Sequence, residues 1–235
     1  MLNNFIKTAL AAALLVSGIN AASAESVQVN VIGTIVPAAC TPTVSGGGII
    51  DYGNIKASTL SADAYTVLPV KSVDFAINCD APARVAISAI NDRPGSMAGV
   101  TESSIGTALT PVGVFGYRAN YFAGAGLGLD GTKRIGGYAI QVAPSTVTVD
   151  GNKVDSIEVN NGRGEGPWHA SDGAPYNAAY LRSISWAETG SLTPVAFKTL
   201  AGTLNVQAYL NKASELDLSH AVKLDGQTTL EVVYL

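Results

Sequence analysis

Two histidines, two cysteines and a charged fraction of only 14% leave this 235-residue chain few parts for polar chemistry. His169 and His220 stand far apart, and neither has the spacing of a metal-ligand pair. Ser171 and Asp172 lie close to His169, but three neighbours in one loop do not make a triad, and there is no Gly-x-Ser-x-Gly elbow. The acidic residues are scattered singly, which is the pattern of solvated strand faces and turns. The expectation is therefore no catalytic centre, no metal and no cofactor. A hydrolase is the weaker rival. Basic clusters are also missing, and the net charge of −4 argues against a nucleic-acid partner. The glycines between Gly124 and Gly128 do not follow Gly-x-Gly-x-x-Gly and sit in no βαβ pattern, so they mark a bent loop rather than a phosphate cradle. No apolar run is long enough to span a bilayer, and no long helical period is visible.

The chain does contain an exported β protein. Residues 1–24 read as a secretory signal peptide: Lys7 precedes a short apolar run over residues 8–16, and Ala22-Ser23-Ala24 forms a small-residue cleavage site. The mature chain is expected to begin at Glu25. Residues 25–235 read as one domain with inserted loops, since no interdomain linker and no repeat is visible.

Period-two alternation is the dominant signal. In the stretch VQVNVIGTIVPAAC, Val27, Val29, Val31, Gly33 and Ile35 share one parity, so it reads as an apolar strand ahead of Cys40. Ile49, Ile50 and Tyr52 restart a strand after Gly46-Gly47-Gly48. Val73, Phe75, Ile77 and Cys79 alternate, followed by Val85, Ile87 and Ala89 and then the turn Asn91-Asp92-Arg93-Pro94-Gly95. Residues 112–122 are strand-like and aromatic. Tyr138, Ile140 and Val142 alternate; Asp150-Gly151-Asn152 closes a hairpin; Ile184 and Trp186 share a face, as do Leu204, Val206, Ala208 and Leu210. Residues 214–221 suit one or two helical turns. At the end, Leu230, Val232 and Tyr234 form a stripe. About ten strands separated by turn signals predict an all-β antiparallel sandwich.

Cys40 and Cys79 allow a single intramolecular pairing, and export makes a disulfide the default. Closing a loop of about 40 residues stabilises the fold by roughly 4 kcal/mol in the chain-entropy account. Trp168 and His169 lie in the glycine-rich loop 160–175. Trp168 either stacks on a sugar ring or packs that loop onto the sandwich.

Several of these stretches together resemble a known family. In VNVIGTIVPAAC a glycine, Gly33, precedes an aliphatic pair and Ala-Ala-Cys. DFAINCDAPARVAIS carries the second cysteine on a strand, LEVVYL has a penultimate tyrosine, and GGGIIDYGNI precedes the second cysteine. The pattern resembles the chaperone–usher fimbrial subunits, or pilins, and GGGIIDYGNI resembles their β-fimbrial branch. The likeness covers about residues 29–89 and 204–235; Val222 stands where the family often has glycine.

The resemblance implies an immunoglobulin-like, pilin-type sandwich completed by a donor strand from another chain. The donor residues would be Val27, Val29, Val31 and Gly33, within a segment of about residues 25–33. Leu230, Val232 and Tyr234 would line the acceptor groove and contact the chaperone. The implied partners are a periplasmic chaperone, an outer-membrane usher and other fimbrial subunits, and the implied location is a fimbrium on the cell surface, reached through the periplasm. The expected function is a structural subunit that polymerises by donor-strand exchange and contributes to adhesion. The rivals are a tip adhesin that binds a host or surface glycan through Trp168 and His169, and a non-polymerising periplasmic sandwich.

Overall fold

The computed structural model describes residues 26–36 and 38–235; the expected leader and its expected cleavage site lie outside the described residues. The chain falls into two units, Met1–Val36 and Pro37–Leu235. Within the first, residues 26–36 form no strand, unlike the alternation read from their sequence, and Val27, Val29 and Val31 are 89%, 79% and 94% exposed. An extended ribbon becomes a strand only when a neighbour completes its ladder, and no neighbour pairs with this one among the described residues.

The second unit is the expected antiparallel sandwich. Its principal strands are β1 (Cys40–Val44), β2 (Lys71–Ala83), β3 (Val85–Asn91), β4 (Ala123–Gly126), β5 (Gly136–Val142), β6 (Asn152–Val159), β7 (Ser183–Glu188), β8 (Phe197–Leu210) and β9 (Thr228–Tyr234). One sheet runs β1–β2–β8–β5–β4. The other runs β9–β3–β7–β6. The short strand Thr148–Val149 pairs with both β8 and β6 and carries the chain from one sheet to the other. Its turn is set by Asp150 and Gly151, at φ 47° and 80°, the left-handed pair that an Asp-Gly hairpin needs. The Asp150 carboxylate accepts from the backbone N–H of Thr199 and of Lys198, which holds its pKa below the usual carboxylate range.

Alternation fills the space between the sheets. Phe75 and Ile77 of β2, Ile87 of β3, Tyr138 and Ile140 of β5, and Val206 and Ala208 of β8 all face one core. Trp186 of β7 meets Phe197 edge-on at 6.1 Å between ring centres. The other face of β5 and β8 is covered as well. Residues 92–122 fold across it and build two satellite clusters: Met97, Ala98 and Ala108 around Tyr209, and Val114 and Phe122 around Ala139.

Three local readings change. Residues 112–122 form a folded loop rather than a strand. Residues 49–56 join no strand ladder: left-handed glycines precede them, at φ 64°, 67° and 75°, and Gly53 at φ 66° breaks the stretch itself. Residues 214–221 supply only the end of a 3-10 turn, Ala213–Glu215.

Candidate functional site

The two sheets each end on an unpaired strand on the same side of the sandwich. Among the described residues, β1 pairs only with β2, and β9 pairs only with β3. Their free edges face one another across a cleft of about 620 Å³ that opens into the core. Val44 and Ile50 form one wall, Leu230 and Leu224 the other, and Phe75, Ile140 and Val206 the floor. An unpaired edge beside an open apolar floor is a site that another strand can complete.

The cleft is closed at one end. The backbone N–H of Cys40 donates to the Tyr234 hydroxyl at 2.8 Å, so the last residue of β9 is tied to the start of β1. The Cys40–Cys79 disulfide is formed beside this clasp and fastens β1 to β2 at directly paired positions. Gly47, Gly48 and the segment Gly226–Thr228 also line the cleft, and Ile49 among its lining stands 74% exposed.

Polar groups are few and neutral. Tyr138 and Tyr176 each share a 2.6 Å hydrogen bond with the Thr228 hydroxyl. Burial pushes both phenols above their ordinary pKa, so neither ionises near neutrality. Tyr52 replaces a missing strand: its hydroxyl donates to the Val206 carbonyl at 3.2 Å and accepts from the Ala208 N–H at 3.1 Å. Burial raises the Tyr52 pKa too. Nothing in the isolated sequence marks this role, since Tyr52 and Ala208 are 156 residues apart.

The C-terminal stripe divides its duties. Leu230 lines the cleft, Val232 packs on the core beside it, and Tyr234 sits 47% exposed at the clasp. Trp168 and His169 are not part of this cleft. Trp168 is half-buried, and a Cβ added at Gly164 would lie 2.0 Å from Leu235 and 3.7 Å from the Trp168 ring. Loop, tryptophan and C-terminus are therefore closely packed. His169 is exposed in a two-residue strand opposite Glu158. The Ser171 hydroxyl donates to Glu158 at 2.9 Å, and Arg182 pairs with the same carboxylate at 3.1 Å. That cluster fastens the loop to β6. Among the described residues, no group of three or more His, Cys, Asp or Glu could hold a metal.

Comparison with known proteins adds relatives but no template. Residues 29–139 match a family described as "Protein of unknown function (DUF1120)". The chain is 30% identical to Protein GltF of Escherichia coli K12 over 99% of its own length and 98% of GltF. It is 26% identical to the uncharacterized protein YhcF of the same organism over 94% of its own length and 98% of YhcF. No solved structure matches.

Proposed function

We propose, from the premise that this chain belongs to the family of GltF, that it is an exported structural subunit of a chaperone–usher fibre. It polymerises by lending a strand to a neighbouring copy or a related subunit, and so contributes to adhesion. The observation that carries this reading is the pair of unpaired edges, β1 and β9, separated by an open apolar cleft. A sandwich left open there exposes its core and is prone to aggregate. A periplasmic chaperone would cover the cleft during export, and an outer-membrane usher would oversee its replacement by another subunit. The disulfide fits passage through an oxidising compartment.

The proposed donor is the segment around Val27, Val29 and Val31. These side chains are exposed in the isolated chain and recur at every second residue, so an extended segment presents them about 7 Å apart on one face. Burying each valine contributes about 1.5–3 kcal/mol, with backbone pairing along β9 or β1 in addition. Gly33 would mark the crossing between subunits. Because donor and cleft are different parts of the chain, the contact is heterologous, head-to-tail, and generates a fibre when it does not close on itself.

The test is deletion of residues 25–30 together with Val29→Asp. Both proteins should be exported, fold and co-purify with a chaperone, yet fail to add to the next subunit. The charge in Val29→Asp would cost several kcal/mol in an apolar cleft. If the deletion instead unfolds the isolated protein, the segment belongs to its own sandwich, and the monomeric periplasmic reading replaces this one.

A further inference from the structure

The inserted residues 92–122 carry a feature that the cleft does not use. Tyr117 and Tyr121 are stacked at 4.4 Å between ring centres with an interplanar angle of 21°. They are 44% and 42% exposed. Beneath them Phe122 is buried and meets both rings edge-on, at 5.2 Å and 5.1 Å. Between them in the chain are Arg118 and Asn120, both exposed, and among the described residues Arg118 forms no ion pair.

The loop is held in one shape. The Thr110 N–H donates to the Phe122 carbonyl, and the Asn120 N–H donates to the Thr110 carbonyl, each at 2.9 Å. The Phe115 N–H donates to the Gln207 side chain on β8. Phe115 and Asn120 take left-handed backbone angles, φ 54° and 59°. For a bulky residue such as Phe115 that conformation is costly and persists only where the surroundings enforce it. A rigid loop that presents two aromatic faces loses little entropy when it binds a ligand.

We infer that Tyr117 and Tyr121 form a saccharide-stacking platform, with Arg118 and Asn120 reaching the ring hydroxyls or a sugar carboxylate. Stacked aromatics suit the flat faces of two kinds of polar ligand, nucleobases and sugars. The chain's net charge of −4 opposes a phosphodiester backbone, which leaves sugars. The platform is independent of the fibre reading. It is built on Ala139 and Gln207, whereas Tyr138, Ile140, Val206 and Ala208 line the cleft. Neighbours in an extended strand face opposite sides, so the platform stays open when the cleft is filled.

The experiment is to probe the full exported protein against an array of defined neutral and acidic oligosaccharides, then to titrate the best binder. Tyr117→Ala and Tyr121→Ala should each weaken that binder by about tenfold, and the double variant should abolish binding. Tyr117→Leu and Tyr121→Leu keep apolar cover over Phe122 and should weaken binding equally, which separates stacking from loop collapse. Tyr121→Phe should retain binding. All the variants should assemble as the parent does. If no oligosaccharide binds the parent, or if the double variant binds as the parent does, the inference is overturned.

Discussion

Tyr234 combines two roles that are separable by substitution. Its ring ends the β9 stripe, and its hydroxyl accepts the Cys40 N–H. Tyr234→Phe removes only the hydrogen bond and should lower stability by about 0.5–1.5 kcal/mol, read in a denaturant titration. Tyr234→Ser also removes the ring, and should in addition lower periplasmic yield and weaken co-purification with a chaperone. Equal behaviour of the two variants would show that the ring has no recognition role. Leu230, Tyr234 and the cysteines were legible in the sequence because each lies in a local pattern: an alternating stripe, a penultimate tyrosine, a lone pair of thiols. The hydrogen bonds of Tyr52, Tyr138, Tyr176 and Thr228 were not. Their partners lie between 52 and 156 residues away, and no local period encodes such a meeting.

At the scale of the element, alternation succeeds where large side chains occupy one parity. Tyr138, Ile140 and Val142 announce β5, and Leu204, Val206, Ala208 and Leu210 announce β8. The other parity of β5 holds Gly137, Ala139 and Gln141, a pattern that looks like a solvent face and is in fact the footing for residues 92–122. A Cβ at Gly137 would lie 2.6 Å from the Tyr209 hydroxyl. Gly137→Val should therefore displace that ring and cost about 1–3 kcal/mol. Tyr209 is buried and donates to the Ala98 carbonyl, so the strain should appear as faster hydrogen exchange around residues 97–100. Unchanged exchange there would contradict the packing described. Residues 112–122 misled for a related reason. Their aromatic and aliphatic content suits a strand, but Gly113 is turned so tightly that an added Cβ would meet the Tyr117 carbonyl at 2.3 Å. The fold of that loop depends on close approach rather than on hydrophobic pattern.

For the whole molecule, β1 is an edge strand of the sandwich. Its five residues pair with β2 alone, and the far side is the open cleft. The disulfide compensates for the missing neighbour. Replacing Cys40 and Cys79 by serine should cost about 2–5 kcal/mol and lower the melting temperature accordingly. It should also release β1 before the rest of the sandwich melts, which proteolysis near residues 40–50 would report. A melting temperature equal to the parent's would mean that β1 is held by packing instead.

Both β5 and β8 are shared walls, and adjacent residues along them serve different rooms. Ile140 faces the open cleft; Ala139, one position away, supports the loop that displays Tyr117 and Tyr121. Sequence change on one parity is thus insulated from the other. A lineage could redraw its outward-facing loop repeatedly, altering what the surface touches, while the cleft between β1 and β9 stays as it was.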